Sequence, residues 1–188
     1  MPARGHEREL LDALQALPAG PFAGDTWRVA IVGREALRGS AAGGRWSPPG
    51  EFDVLYTSLS REGALAEIGY RLSLEPVWPS RIAHALHRIR ARTTYTLRFA
   101  DLASLAPLGV DGARYGGFDY AATQAIAAAA FFLDFDGLIV PSARSVAHNL
   151  VLFLDKLEPE AALHVAASET VDWVGWRRGR HGARGPRR

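Results

Sequence analysis

Apolar and polar positions along this chain alternate with two periods, and each change of period marks an element. In residues 4–17, Leu10, Leu11, Leu14 and Leu17 recur at helical spacing and predict an amphipathic helix. Pro18, Gly20, Pro21 and Gly24 then predict a break. Residues 26–32 alternate and are β-branched, as a strand requires. Residues 33–50 hold five glycines and the pair Pro48-Pro49, and predict a long loop. A strand is expected over 52–58. Ser60 then caps a helix over 61–72, with Ala64, Leu65, Ile68 and Leu72 on one face. Pro76 and Pro79 end that unit. Two strands are expected over 84–91 and 94–99, a short helix or turn over 101–105, and an alanine-dense helix over 120–133. Short apolar runs at 137–140 and 150–154 read as buried strands, and 163–167 as a last strand. Strands and helices follow one another without a βαβ rhythm. The expected class is therefore α+β, one domain with a mixed or antiparallel β core flanked by helices.

Length and composition narrow this picture. The chain has 188 residues, 48% of them hydrophobic and 22% charged, enough for one real core. It has no cysteine, which excludes disulfides, a thiol nucleophile and cysteine-based metal sites. The first seventeen residues lack the apolar core of a secretory signal, and the longest apolar run, residues 125–133, is far short of a membrane span. A soluble, cytoplasmic protein with no membrane partner is expected. Six arginines crowd residues 177–188, although Lys+Arg exceeds Asp+Glu by only 22 to 20. The excess of base is thus a property of the tail, which is expected to be disordered and solvated. The expected layout is a helical extension over 1–25, a catalytic domain over 26–170 and an arginine-rich tail over 171–188.

Much common chemistry is absent. There is no phosphate-binding GxxxxGK[ST], no GxGxxG between strand and helix, no HExxH and no GxSxG. His84 and His87 lie three apart in a predicted strand and read as two partly exposed histidines, not metal ligands. What stands out is a set of polar residues where the pattern otherwise asks for core or tight turn. Arg28 interrupts a strand. Arg45 follows Gly43 and Gly44, which let a ligand approach the backbone. Tyr56 closes a strand, Glu67 borders the apolar face of its helix, and Ser142 follows Pro141 at a strand exit. Singly, each has an ordinary reading: a solvent-facing arginine, a loop arginine, a core tyrosine, a helix-surface carboxylate, a turn cap.

In order, the chain reads Trp-Arg-Val at 27–29, Gly-Gly-Arg-Trp-Ser-Pro-Pro-Gly at 43–50, Val-Leu-Tyr-Thr-Ser at 54–58 and Ala-Leu-Ala-Glu-Ile at 64–68. Asp-Tyr-Ala-Ala-Thr-Gln at 119–124, Gly-Leu-Ile-Val-Pro-Ser-Ala-Arg at 137–144 and Asn-Leu-Val-Leu-Phe at 149–153 follow. This series, over about residues 26–155, resembles the RES-domain family, toxins of bacterial toxin–antitoxin pairs named for an arginine, a glutamate and a serine. Here these would be Arg45, Glu67 and Ser142. The family's loop motif usually ends Arg-Trp-Asn, and this chain has Ser47.

The resemblance implies a fold similar to ADP-ribosyltransferases and cleavage of the nicotinamide–ribose bond of NAD, with no metal. It implies that Arg45, Tyr56, Glu67 and Ser142 carry the reaction. Arg28, Gly43, Gly44 and Arg45 would hold the diphosphate, Tyr56 would face the nicotinamide, and Ser142 would position ribose or nicotinamide. Water or phosphate as acceptor would make a NAD-depleting toxin. A protein acceptor would make an ADP-ribosyltransferase with a cellular target. The implied partner is an Xre-type DNA-binding antitoxin covering the site, with a homodimer also possible in such families. Trp78, Trp173 and Trp176 are candidate interface anchors, or core. A different class of reading is a non-catalytic module that binds nucleic acid or a partner through the basic tail.

Overall fold

A computed structural model describes residues 7–158 and 162–183. The elements are α1 (Arg8–Gln15), β1 (Ala19–Ile31), β2 (Val54–Ser58), α2 (Arg61–Ser73), β3 (His84–Arg98), α3 (Ala121–Phe132), β4 (Gly137–Pro141), β5 (His148–Phe153), β6 (Ala162–Thr170) and α4 (Trp173–Ala183), with short 3₁₀ turns at Ala103–Leu108 and Leu154–Lys156. The α+β class is as expected, and the sheet is mixed: β3 and β4 are parallel, and the other pairs are antiparallel.

The ladder closes on itself. β1 pairs with β3, β3 with β4, β4 with β5, β5 with β2, and β2 returns to β1 through Trp27 opposite Ser58. β6 is added along the outer side of β3. Alternation then sorts the strand residues between two environments. Leu55, Ile139, Leu150 and Leu152 pack together inside the ring. Their neighbours Val54, Leu138, Val140, Val151 and Phe153 face α1 and α3, where Leu14, Ile126 and Ala130 complete the main core. Gly137 is a glycine because a Cβ there would stand 2.5 Å from the Val151 carbonyl oxygen.

Four expectations need correction. The predicted break at residues 18–24 is strand: β1 starts at Ala19 and pairs with the end of β3. The bulge between Gly20 and Phe22 leaves Pro21, which has no N–H to offer, out of register. With Leu14 fully buried in the main core, residues 8–25 are part of the domain and not a helical extension. The two strands predicted over 84–99 are one. The backbone N–H groups of Thr94 and Tyr95 donate to the buried Asp136 carboxylate at 2.6 and 2.7 Å, which carries the strand through the register shift against β1. Residues 173–183 of the supposedly disordered tail form α4, because Trp173 and Trp176, three apart, both dock on α2. The rest of that tail, 184–188, lies outside the described residues.

Ser60 caps α2 as predicted, its hydroxyl accepting the Gly63 N–H at 2.9 Å. No helix among the described residues is long and apolar enough to cross a membrane.

Candidate active site

The long loop before β2 is folded tightly. Gly44 and Ser47 exchange backbone hydrogen bonds of 2.9 and 3.3 Å, and Gly43 takes a left-handed φ of 92° to enter that turn. Trp46 is buried in the main core beside Phe99. Tyr56, on β2, accepts the Trp46 N–H on its hydroxyl at 2.9 Å. Gly44 permits this: a Cβ there would lie 2.8 Å from the Tyr56 oxygen. From α3, Gln124 donates Nε2–H to the Gly44 carbonyl at 2.9 Å. Burial raises the Tyr56 pKa well above the ordinary phenol range, against a smaller lowering by the Trp46 N–H. Tyr56 is thus a neutral post for the turn.

A turn pinned at both ends aims Arg45 outward. Its guanidinium lies between two rings, 4.5 Å from the Tyr115 centroid and 4.8 Å from that of Tyr120, and donates to the Gly117 carbonyl at 3.1 Å. Burial pushes the Tyr115 phenol up to about 12, with Arg45 opposing. The Tyr115 hydroxyl donates to the Pro141 carbonyl at 2.8 Å, one residue from Ser142.

Ser142 is buried and its hydroxyl is saturated. It accepts the N–H groups of Arg144 and Ser145 at 3.0 and 3.2 Å, and donates to Glu67 Oε1 at 2.6 Å. Asn149 Nδ2 donates to the same oxygen at 3.0 Å. Glu67 sits half-buried on α2 with Oε1 doubly bonded, while Oε2 takes no hydrogen bond from the described residues. The Asn149 amide oxygen is buried without a partner among the described residues. Beside Arg45 lies a pocket of about 290 Å³, lined also by Val110, Asp111, Arg114, Tyr115 and Asp119; Tyr56, Glu67 and Ser142 do not line it.

The structure thus links Gly43, Gly44, Arg45, Tyr56, Ser142 and Glu67 through one continuous series of contacts. It does not bring Arg28 into that series. Trp27 opposes Ser58 and so shares the face of Tyr56, while Arg28, the next residue on β1, points to the other face. There its Nη1 donates to the carbonyls of Ala36 and Arg38 at 2.6 and 2.8 Å, bracing the start of the long loop. Burial lowers its pKa, and no carboxylate pairs with it among the described residues. Arg45 likewise forms no ion pair there. A half-buried cation without a counter-ion suits an anionic ligand.

Tyr115, Tyr120, Gln124 and Asn149 were not singled out in the sequence, although three of them stand in segments that carry the family resemblance. No spacing rule joins them, because they meet only across elements. The paired-histidine reading also changes. His84 is buried, its Nδ1 accepting the Trp173 indole N–H at 3.2 Å, and only His87 is partly exposed. Trp173, Trp78 and Trp176 pack as core against α2.

Comparison with known proteins follows the same outline. The sequence profile of the RES domain matches residues 25–174. The chain belongs to the RES-domain family. Among curated proteins, this RES-domain chain is 26% identical over 132 residues to the NAD(+) phosphorylase MbcT of Mycobacterium tuberculosis H37Rv, an alignment covering 67% of this chain and 71% of the relative. It is 31% identical over 160 residues to the "Probable NAD(+) phosphorylase Rv3189" of the same strain, covering 81% and 76%. Among solved structures, the crystal structure of the M. tuberculosis MbcT–MbcA toxin–antitoxin complex superposes with a TM-score of 0.80 at 22% identity, covering 93% of this chain and 98% of that one. The RES fold is thereby shared.

Proposed function

We propose that this RES-domain protein is a toxin that cleaves the nicotinamide–ribose bond of NAD and passes the ADP-ribosyl group to inorganic phosphate. The observation that carries the reading is Glu67, fixed through Oε1 by Ser142 and Asn149 with Oε2 unengaged, in one contact series with the unpaired guanidinium of Arg45. The choice of phosphate rests on relatives named NAD(+) phosphorylase.

The chemistry suits these residues. When the bond breaks, its electron pair goes to the pyridinium nitrogen, so nicotinamide leaves neutral and no general acid is needed. Positive charge grows on the ribose C1′ and ring oxygen. A carboxylate held in place by two donors stabilises that charge without reorganising, where a mobile one would lose energy in doing so. Ser142 and Asn149 keep Glu67 in position and leave its second oxygen for the sugar. Arg45, flattened between two tyrosines, presents the edge of its guanidinium to the diphosphate. Arg28, on the far face of β1, serves this site only by bracing the start of the loop that leads to Arg45. The turn at Gly43–Gly44 serves the site by fixing the direction in which Arg45 leaves the backbone.

The proposed partner is a protein antitoxin that masks the cleft, as the complex of the structural relative suggests; a DNA-binding antitoxin of the Xre type fits that role. The test is purified protein with NAD and phosphate, resolved by chromatography. Nicotinamide with ADP-ribose 1″-phosphate supports the reading. Nicotinamide with free ADP-ribose, whatever the phosphate concentration, would replace phosphorolysis by hydrolysis. No nicotinamide at all would remove the enzyme reading.

A further inference from the structure

We infer that Arg144 is the residue that receives the phosphate acceptor, so that it decides between phosphate and water. This rests on the proposed NAD cleavage and deepens it.

Two contacts, parallel in sequence, join α2 to the turn after β4. Glu67 meets Ser142, and three residues further along α2, Tyr70 meets Arg144, whose guanidinium carbon lies 3.4 Å from the ring centroid. Residues three apart on a helix share a face, so both contacts fall on one side of α2. The backbone of Arg144 is tied to the same point, its N–H donating to the Ser142 hydroxyl that holds Glu67. A half-buried guanidinium is therefore fixed one side chain away from the carboxylate that marks the reacting carbon.

Nothing among the described residues neutralises it. Among these residues Arg144 forms no ion pair, and its guanidinium stacks on the Tyr70 ring. Stacking leaves the edge of the fork, where the N–H donors point, to other partners. On that side stands the segment 115–117, which Arg144 shares with Arg45. Arg144 Nη1 would be 3.6 Å from a Cβ on Gly116, and Arg45 bonds the carbonyl of Gly117. Two unpaired guanidinium groups thus flank one short strip of chain. The Arg45 side suits the diphosphate of the donor. The Arg144 side, next to Ser142 and Glu67, suits a second oxyanion close to C1′. In the step, a phosphate oxygen lone pair forms the bond to C1′ as the C1′–N bond breaks. The pyridinium nitrogen takes the electron pair, and the hydrogen phosphate keeps its proton in the ester until solvent removes it. A planar fork that grips two phosphate oxygens leaves a third free to attack.

The experiment measures initial rates of nicotinamide release against phosphate and against NAD, for wild type, Arg144→Gln, Arg144→Lys and Tyr70→Ala. Losing a charge-assisted pair should raise the phosphate KM roughly 10- to 100-fold in Arg144→Gln. The rise should be smaller in Arg144→Lys, which keeps charge without the fork, and intermediate in Tyr70→Ala, which removes the platform. The NAD KM should stay within about twofold in each, a split that a purely structural role for Arg144 would not produce. An unchanged phosphate KM in Arg144→Gln overturns the inference while leaving NAD cleavage intact. Parallel rises in both KM values across all three variants also overturn it, as does a wild type whose rate ignores phosphate. A wild type that releases no nicotinamide fails at the earlier step, and the inference goes with it.

Discussion

Glu67 owes its value to what surrounds it. A carboxylate on a helix surface is ordinary, but one whose Oε1 accepts from Ser142 and Asn149 is held still. Glu67→Gln keeps the shape and loses the charge. Nicotinamide release should fall by ~10²–10³-fold with little change in urea midpoint, and a rate near wild type would take Glu67 out of the mechanism. Arg45 is judged by its planarity. Arg45→Lys preserves charge but cannot lie flat between Tyr115 and Tyr120. The NAD KM should rise roughly tenfold, on the scale of one charge-assisted contact, and an unchanged KM would show that charge alone suffices. Arg45, Tyr56, Glu67 and Ser142 were legible as candidates because each breaks a local pattern. Asn149 and Tyr115 were not, since an asparagine opening a strand and a tyrosine in a loop break none.

Loops and helices set these side chains by close approach. The 43–47 turn is shaped by a missing side chain: Gly44→Ala puts a Cβ against the Tyr56 hydroxyl and should release the Trp46 N–H from it. The outcome to look for is a raised NAD KM together with a lower urea midpoint. α2 is set from its other side. A Cβ on Gly69 would stand 2.4 Å from the Trp176 ring, so the helix that carries Glu67 is seated directly on the tryptophans of α4. Gly69→Ala overpacks that seat and should cost about 1–3 kcal/mol in urea unfolding. Stability equal to wild type would mean that α4 yields freely and does not seat α2. Sequence patterning found α2, its cap and its apolar face. It could not find α4, because an arginine-rich segment looks solvated until the groove that takes its two tryptophans is known.

The whole molecule couples this seat to pH. His84 is buried neutral against Trp173, and its folded-state pKa lies below the ordinary 6.5 through burial, only partly offset by a hydrogen bond to the Ile82 carbonyl. His87 shifts the same way, through burial and the nearby charge of Arg28. For a depressed histidine the unfolded chain binds more protons than the folded one between the two pKa values. Its stabilising contribution is therefore complete above about pH 6.5 and is lost as pH falls through the lower folded-state value. Urea midpoints should drop between pH 7.5 and 5, and His84→Asn should flatten part of that slope. A slope the same in both proteins would place the titration elsewhere.

From the residues alone came the α+β class, most of the elements, the RES resemblance and four side chains of the candidate site. These depend on local signals: periodicity, glycine and proline punctuation, and short ordered motifs. The closure of the ladder, the single long β3 and the docking of α4 depend on partners distant in sequence. Asp136 stitches Thr94 and Tyr95 from 42 and 41 residues away, and Trp27 closes the ring on Ser58. The division between Arg28 and Arg45 is of the same kind. Both are arginines beside a strand or turn, and only strand pairing shows that one braces a loop on the far face while the other lies between two tyrosines. Local energetics choose an element, but which side chains meet is chosen by packing across the chain, and chemistry at a site needs the second.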